Sequence, residues 1–123
     1  MTIQELYDQI GGNYDHAVQI MRMDKMISKY LLKLTDSGVC DSLKEAGASM
    51  DPAALFESAH AMKGVCANLG LDGLAAAVGE VTEEFRPGAA RKFSDDEVKA
   101  KLDEIFAMYE KTEAGINEYK ATL

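Results

Sequence analysis

Paired cysteines, long apolar runs and an excess of positive charge are all missing from this sequence. Cys40 and Cys66 are the only two cysteines in 123 residues. They offer no disulfide framework, which suits reduced thiols and a cytoplasmic setting. The longest purely apolar run is LAAAV at 74–78, far too short to cross a bilayer. The N-terminus, MTIQELYDQIGG, carries neither a basic leader nor an apolar signal core, so neither secretion nor a membrane span is expected. Against 21 Asp and Glu stand 13 Lys and Arg, for a formal net charge of −8. Such a surface repels phosphate backbones and anionic lipid, which argues against nucleic-acid and membrane partners. A basic or mixed protein surface is the more natural target. Only two prolines interrupt the chain.

What is there is an ordinary globular composition, 47% hydrophobic and 28% charged. The length favours a single domain over 1–123 with one core. Almost every segment reads as helix. Thr2 and Glu5 form a capping-box pattern before a short helix that Gly11–Gly12 stops. A second stretch begins near Tyr14, with Asp24 as an N-cap or a bend. Met23, Met26, Ile27, Tyr30, Leu31 and Leu34 then recur at three- and four-residue steps until Gly38. Residues 41–48 make a shorter helix with Asp41 as its cap.

Asp51–Pro52 is a start signal, a capping carboxylate followed by proline at the first helical position. That helix runs to about Leu69, where Gly70 supplies a left-handed stop. Leu71, Leu74, Val78, Val81 and Phe85 mark the next amphipathic helix, which Pro87–Gly88 breaks. The basic loop RPGAARKF is expected to be exposed, EEF at 83–85 to be a solvated face, and DDE at 95–97 a helix-start charge cluster. Ser94 and Glu97 repeat the capping box. Val98, Leu102, Ile105, Tyr109, Thr112, Ile116 and Tyr119 then follow a four-three alternation for about six turns. No strand-like alternation of useful length occurs. Long amphipathic helices joined by short loops give an all-α antiparallel bundle. The seven methionines read mostly as core packing.

The chemistry concentrates in AHAMKGVCANLG at 59–70. At about 100° per residue, Leu55, Ala59, Met62, Cys66 and Leu69 share one stripe that must face the core. His60 then lies roughly 140° from the centre of that stripe and points at solvent. Gly64 follows one turn later on the same outer face, Ala67 comes next, and Lys63 and Phe56 flank the histidine. A mid-helix glycine costs about 0.5–1 kcal/mol relative to alanine, so its benefit should be absence of bulk where another molecule approaches. An imidazole is a good nucleophile and can carry a phosphoryl group as a labile phosphoramidate. The Lys63 charge opposes a second positive charge on the ring and offsets the negative charge of an incoming phosphoryl group.

Other pairings fare worse. His60 and Cys66 fall about 120° apart on one helix, which does not make a nucleophilic dyad. His16 and His60 as metal ligands would need a carboxylate partner, and no HxxxH or ExxH spacing supports that.

The order His-x-x-Lys-Gly resembles the histidine-containing phosphotransfer (HPt) domain of phosphorelays. That family carries His-x-Leu-Lys-Gly, a few small residues, and a glycine ten positions after the histidine, places filled by His60, Met62, Lys63, Gly64 and Gly70. Methionine stands where leucine is usual, and Ala59, Phe56 and NLG at 68–70 also match. The resemblance spans the full length and implies an antiparallel four-helix bundle preceded by a short N-terminal helix. It implies a monomeric phosphocarrier and not a kinase. His60 would take a phosphoryl group from an aspartyl phosphate on a response-regulator receiver domain and pass it to another receiver, downstream of a hybrid sensor kinase. The receiver would supply Mg2+, and no cofactor is expected on this chain, which has no GxxxxGK[ST] nucleotide loop. Phe56, Ala67 and Thr82 are the implied docking residues. In chemotaxis kinases a glutamate 22 residues after the histidine orients the ring; here Thr82 holds that place, followed by Glu83 and Glu84. Val65 is bulkier than the family's usual small residue. The initiating methionine and end-to-end helices favour a free-standing protein. The alternative is a helical adaptor that binds receiver or kinase domains without being phosphorylated.

Overall fold

A computed structural model describes all residues, 1–123, as seven helices. The first, α1 (Ile3–Ile10), has the expected capping box: Thr2 accepts from the Glu5 amide and Glu5 accepts from the Thr2 amide. It ends on Gly11 in the left-handed region, φ 73°. Asn13 caps α2 (Tyr14–Met21), accepting from the His16 amide at 2.9 Å. The chain then bends at Arg22, φ 76°, and Met23 takes the cap position of α3 (Asp24–Asp36) without a side-chain cap. Asp24 is therefore neither cap nor bend. It lies in the first turn, and its carboxylate accepts from the Tyr14 hydroxyl, tying α3 back to α2.

The fourth helix, α4 (Val39–Ser49), has Gly38 at its cap position, three residues before the Asp41 expected to cap it. Asp41 sits in the first turn, where a carboxylate suits the positive end of the helix dipole. Asp51 caps α5 (Pro52–Asn68), accepting from the Ala54 amide at 3.3 Å. A turn at Gly70, φ 66°, leads into α6 (Asp72–Glu84). The longest helix, α7 (Asp95–Ala121), opens on the Ser94–Glu97 capping box with Asp95, Asp96 and Glu97 in its first turn.

The amphipathic stripes meet as their spacing requires. Leu55, Ala59, Met62, Cys66 and Leu69 of α5 are all buried, as are the α6 stripe from Leu71 to Phe85 and all seven apolar-face positions of α7. Helices α3 and α4 are separated by a left-handed Gly38, and both pack on α7. The pairings α4 on α5, α5 on α6, α6 on α7 and α4 on α7 close a ring of four. Short α1 lies on α7, and α2 bridges α3 and α5. This is the expected helical bundle. Burying each large apolar side chain of the α5 stripe contributes about 1.5–3 kcal/mol, which fixes the rotation of α5 and hence the outward face it presents.

Two polar contacts pin the end of α5. The Tyr7 hydroxyl donates to the Leu69 carbonyl at 2.6 Å, and the Asn13 amide donates to the Gly70 carbonyl at 2.8 Å. Gly70 has no room for a side chain, since a Cβ there would collide with the Asn13 carbonyl oxygen and the Ala17 amide.

Three expectations need correction. Met23 and Tyr30 do not join the α3 stripe: they are 54% and 37% exposed. Their register is set by α2 folding back before Asp24, which leaves that side of α3 uncovered. Of the methionines only Met62 is fully buried. Glu84, expected on a solvated face, has a side chain only 1% exposed.

Candidate functional site

The outer face of α5 carries the residues the sequence singled out. His60 is exposed on the side opposite the Leu55–Leu69 stripe. Its ring lies against Phe56, one turn earlier, with centroids 5.4 Å apart and planes tilted 31°. Phe56 itself is half-buried and packs against the core. Such an aromatic neighbour limits ring rotation without consuming a nitrogen lone pair.

Lys63 is half-buried, and its stem lies along Gly79 of α6. A Cβ at Gly79 would stand 3.5 Å from the Lys63 Cε and 3.6 Å from its Cδ, so the lysine stem rests on bare backbone while the ammonium reaches the surface. Gly64 differs from every close-packed glycine of the chain. A Cβ there would meet nothing within 4 Å. No contact inside the molecule explains the missing side chain, so the empty volume faces outward beside His60. Ala67, the next docking candidate, is half-buried against the core.

Thr82 is displaced from the role expected of it. It is fully buried, and its hydroxyl donates to the Val78 carbonyl at 3.1 Å, one turn back on its own helix. It can neither dock a partner nor orient the His60 ring. Its neighbour Glu83 faces the site instead. Arg86 grips Glu83 in a fork, Nε to Oε2 at 2.9 Å and Nη2 to Oε1 at 2.8 Å. That hydrogen bonding holds the Glu83 carboxyl below the usual carboxylate range, and the charges of Lys63 and His60 add to the effect. The same guanidinium lies 5.3 Å from the Phe56 centroid, so Arg86, Phe56 and His60 form a continuous stack. Counting from the motif reaches Glu83 only as the residue after Thr82 and does not find Arg86. The signal was the acid–base spacing of three from Glu83 to Arg86, across the end of α6, beside a half-buried aromatic.

The remaining candidates separate. Burial pushes the Cys66 thiol up to about 12, which leaves no thiolate for a dyad with His60. His16 pairs through Nδ1 with Asp72 at 2.7 Å and serves the start of α6 rather than His60. No cluster of three or more His, Cys, Asp or Glu side chains is placed to hold a metal ion. No helix is long and apolar enough to cross a membrane.

Beyond Gly64, the C-terminal half of α5 borders an open apolar groove of about 590 Å³, lined by Ile20, Met26, Tyr30, Val65 and Leu69 among others. Three of these, Ile20, Tyr30 and Val65, are large apolar side chains left exposed.

The arrangement offers an imidazole on an open helix face, Lys63 and Arg86 in its surroundings, and clearance one turn away. Among curated proteins and among solved structures, none matches the chain. The family model for the Hpt domain matches residues 29–111, from within α3 to near the middle of α7, with the whole His60 face inside it. The chain belongs to the Hpt domain family, which gives it a phosphotransfer role in two-component phosphorelays.

Proposed function

We propose that His60 is the phospho-acceptor of a relay intermediate, charged by an aspartyl phosphate on one receiver domain and discharged onto the aspartate of another. An imidazole nitrogen lone pair forms the N–P bond as the acyl phosphate P–O bond breaks. The released electron pair leaves with the aspartate carboxylate, and the second ring nitrogen gives up its proton to water. Discharge is the reverse, onto a different carboxylate. Lys63 offsets charge on the phosphoryl oxygens throughout. The receiver supplies Mg2+, and the exchange belongs in the cytoplasm, with a hybrid sensor kinase upstream.

One observation carries this reading: the exposed His60 ring stands next to a helical glycine whose empty side-chain volume is claimed by nothing in the molecule. Clearance matters because the phosphate-bearing partner must close over α5 for the nitrogen to reach phosphorus. Val65 and the Ile20–Tyr30 groove extend the contact from Gly64 along the bundle. The role needs only phosphoryl acceptance, without nucleotide binding on this chain.

The test is incubation with a phosphorylated receiver. Wild-type protein is expected to gain acid-labile, alkali-stable phosphate, and His60→Gln to gain none. Gly64→Arg is expected to keep its helicity and lose transfer. Binding of the receiver with no phosphate gained, and equally by His60→Gln, would establish the adaptor role instead.

A further inference from the structure

Arg86 belongs to no motif, yet it closes the stack at the phospho-acceptor edge. Its guanidinium rests on Phe56, and Phe56 rests on His60. Both of its forked hydrogen bonds go to Glu83, whose carboxylate also lies in the field of Lys63 and His60. The side chain is 43% exposed, and its guanidinium is held by Glu83 and the Phe56 ring alone. Before phosphorylation, Glu83 balances one cation of the site. A phosphoryl dianion on His60 changes that balance: it repels Glu83 and offers three oxygens that match the guanidinium fork.

We propose that Arg86 is a phosphoryl-binding residue, held in reserve by Glu83 on the Phe56 ring and turning to the phosphoryl oxygens as they arrive at His60. The proposal rests on the reading of His60 as phospho-acceptor and adds a second cation to it. Lys63 supplies a point charge from the Gly79 side; Arg86 supplies a planar two-point contact from the Phe56 side. The pair brackets the group between α5 and the end of α6.

Chemical phosphorylation tests this without a receiver. With phosphoramidate, the His60 lone pair forms the N–P bond, the reagent's P–N bond breaks, and ammonia leaves with that electron pair and takes up the proton the ring releases. Diethyl pyrocarbonate serves as the control, since it attacks the same nitrogen but carries no charge. Both adducts are located on the His60 peptide by mass spectrometry, which separates them from His16. Arg86→Gln is expected to slow phosphorylation roughly threefold to tenfold, with the gap narrowing in high salt, and Arg86→Lys to recover part of the loss. Carbethoxylation of His60 should stay within twofold of wild type in both variants.

Equal phosphorylation of wild type and Arg86→Gln would overturn the proposal. So would a parallel loss with both reagents, because that pattern means Arg86 acts only by propping Phe56 and the ring. Failure of wild type to accept phosphate from either phosphoramidate or a receiver would bring down the phospho-acceptor reading itself, and this proposal with it, an outcome distinct from the other two.

Discussion

Two glycines six residues apart serve opposite ends. Gly70 adopts φ 66° and admits no Cβ because the Asn13 carbonyl and Ala17 amide close over it. Gly64 is ordinary helix with open space around it. Gly70→Ala is therefore expected to destabilise the fold by about 1–3 kcal/mol through backbone strain alone, before any collision. Gly64→Ala should stabilise it by about 0.5–1 kcal/mol, as alanine for glycine in an open helix does, while slowing phosphotransfer from a receiver. Urea unfolding and a transfer time course on both variants check the pair. The outward phase of Gly64 was legible from 100° steps along α5. The collision at Gly70 was not, because Asn13 and Ala17 reach it from a distant part of the chain. Thr82 was misread for a different reason. Its place was counted from His60, whereas its own helix puts it one turn after Val78 and three residues before Phe85, inside the buried stripe.

At the scale of elements, the α6–α7 connection hangs on Glu84. Its carboxylate accepts from the Arg91 guanidinium at 2.7 Å and from the amides of Lys92 and Phe93 at 3.0 and 2.9 Å. A loop carrying Pro87 and Gly88 would otherwise leave those amides without partners. Arg91 also reaches Asp95 at 3.1 Å, which joins the latch to the start of α7. Burial alone would raise the Glu84 pKa, but the hydrogen bonds from Arg91, Phe93 and Lys92 outweigh it and hold the group below the usual range. A carboxyl depressed on folding stabilises the protein above its unfolded pKa of about 4.3, and that contribution is lost as pH falls through the folded value. Glu84→Gln is accordingly expected to lower stability by about 1.5–3 kcal/mol at neutral pH, the worth of hydrogen bonds to a charged group. The gap to wild type should begin to narrow as pH falls below about 4.3 and close once pH passes the lower folded value. Urea melts across pH measure it, and a gap that persists in acid would refute the charged latch. The ends of α6 and α7 were legible from Pro87–Gly88 and the Ser94 capping box. The latch was not: a carboxylate satisfied by the backbone of a later loop leaves no periodic trace.

Across the whole molecule, exposed apolar surface gathers on one side. Ile20, Met23, Tyr30 and Val65 stand out around α2, α3 and the second half of α5, next to Gly64. The bundle was readable because each long helix repeats its apolar residues with helical phase, and this phase also turned His60 outward. The bare side of α3 was not readable, since it depends on how far α2 folds back. Val65→Glu is expected to keep the fold, lying on the surface, and to reduce transfer from a receiver severalfold by placing charge in the apolar contact. Unchanged transfer kinetics would show that the receiver docks elsewhere on the α5 face.

The central claim is that one exposed imidazole carries phosphate between receivers, and phosphate mapping after incubation with a phosphorylated receiver tests it most directly. The expected result is a single acid-labile, alkali-stable phosphate on the His60 peptide, absent from His60→Gln and lost again when a second, unphosphorylated receiver is added. Phosphate on any other residue, or none on a wild-type protein that binds the receiver, would contradict it.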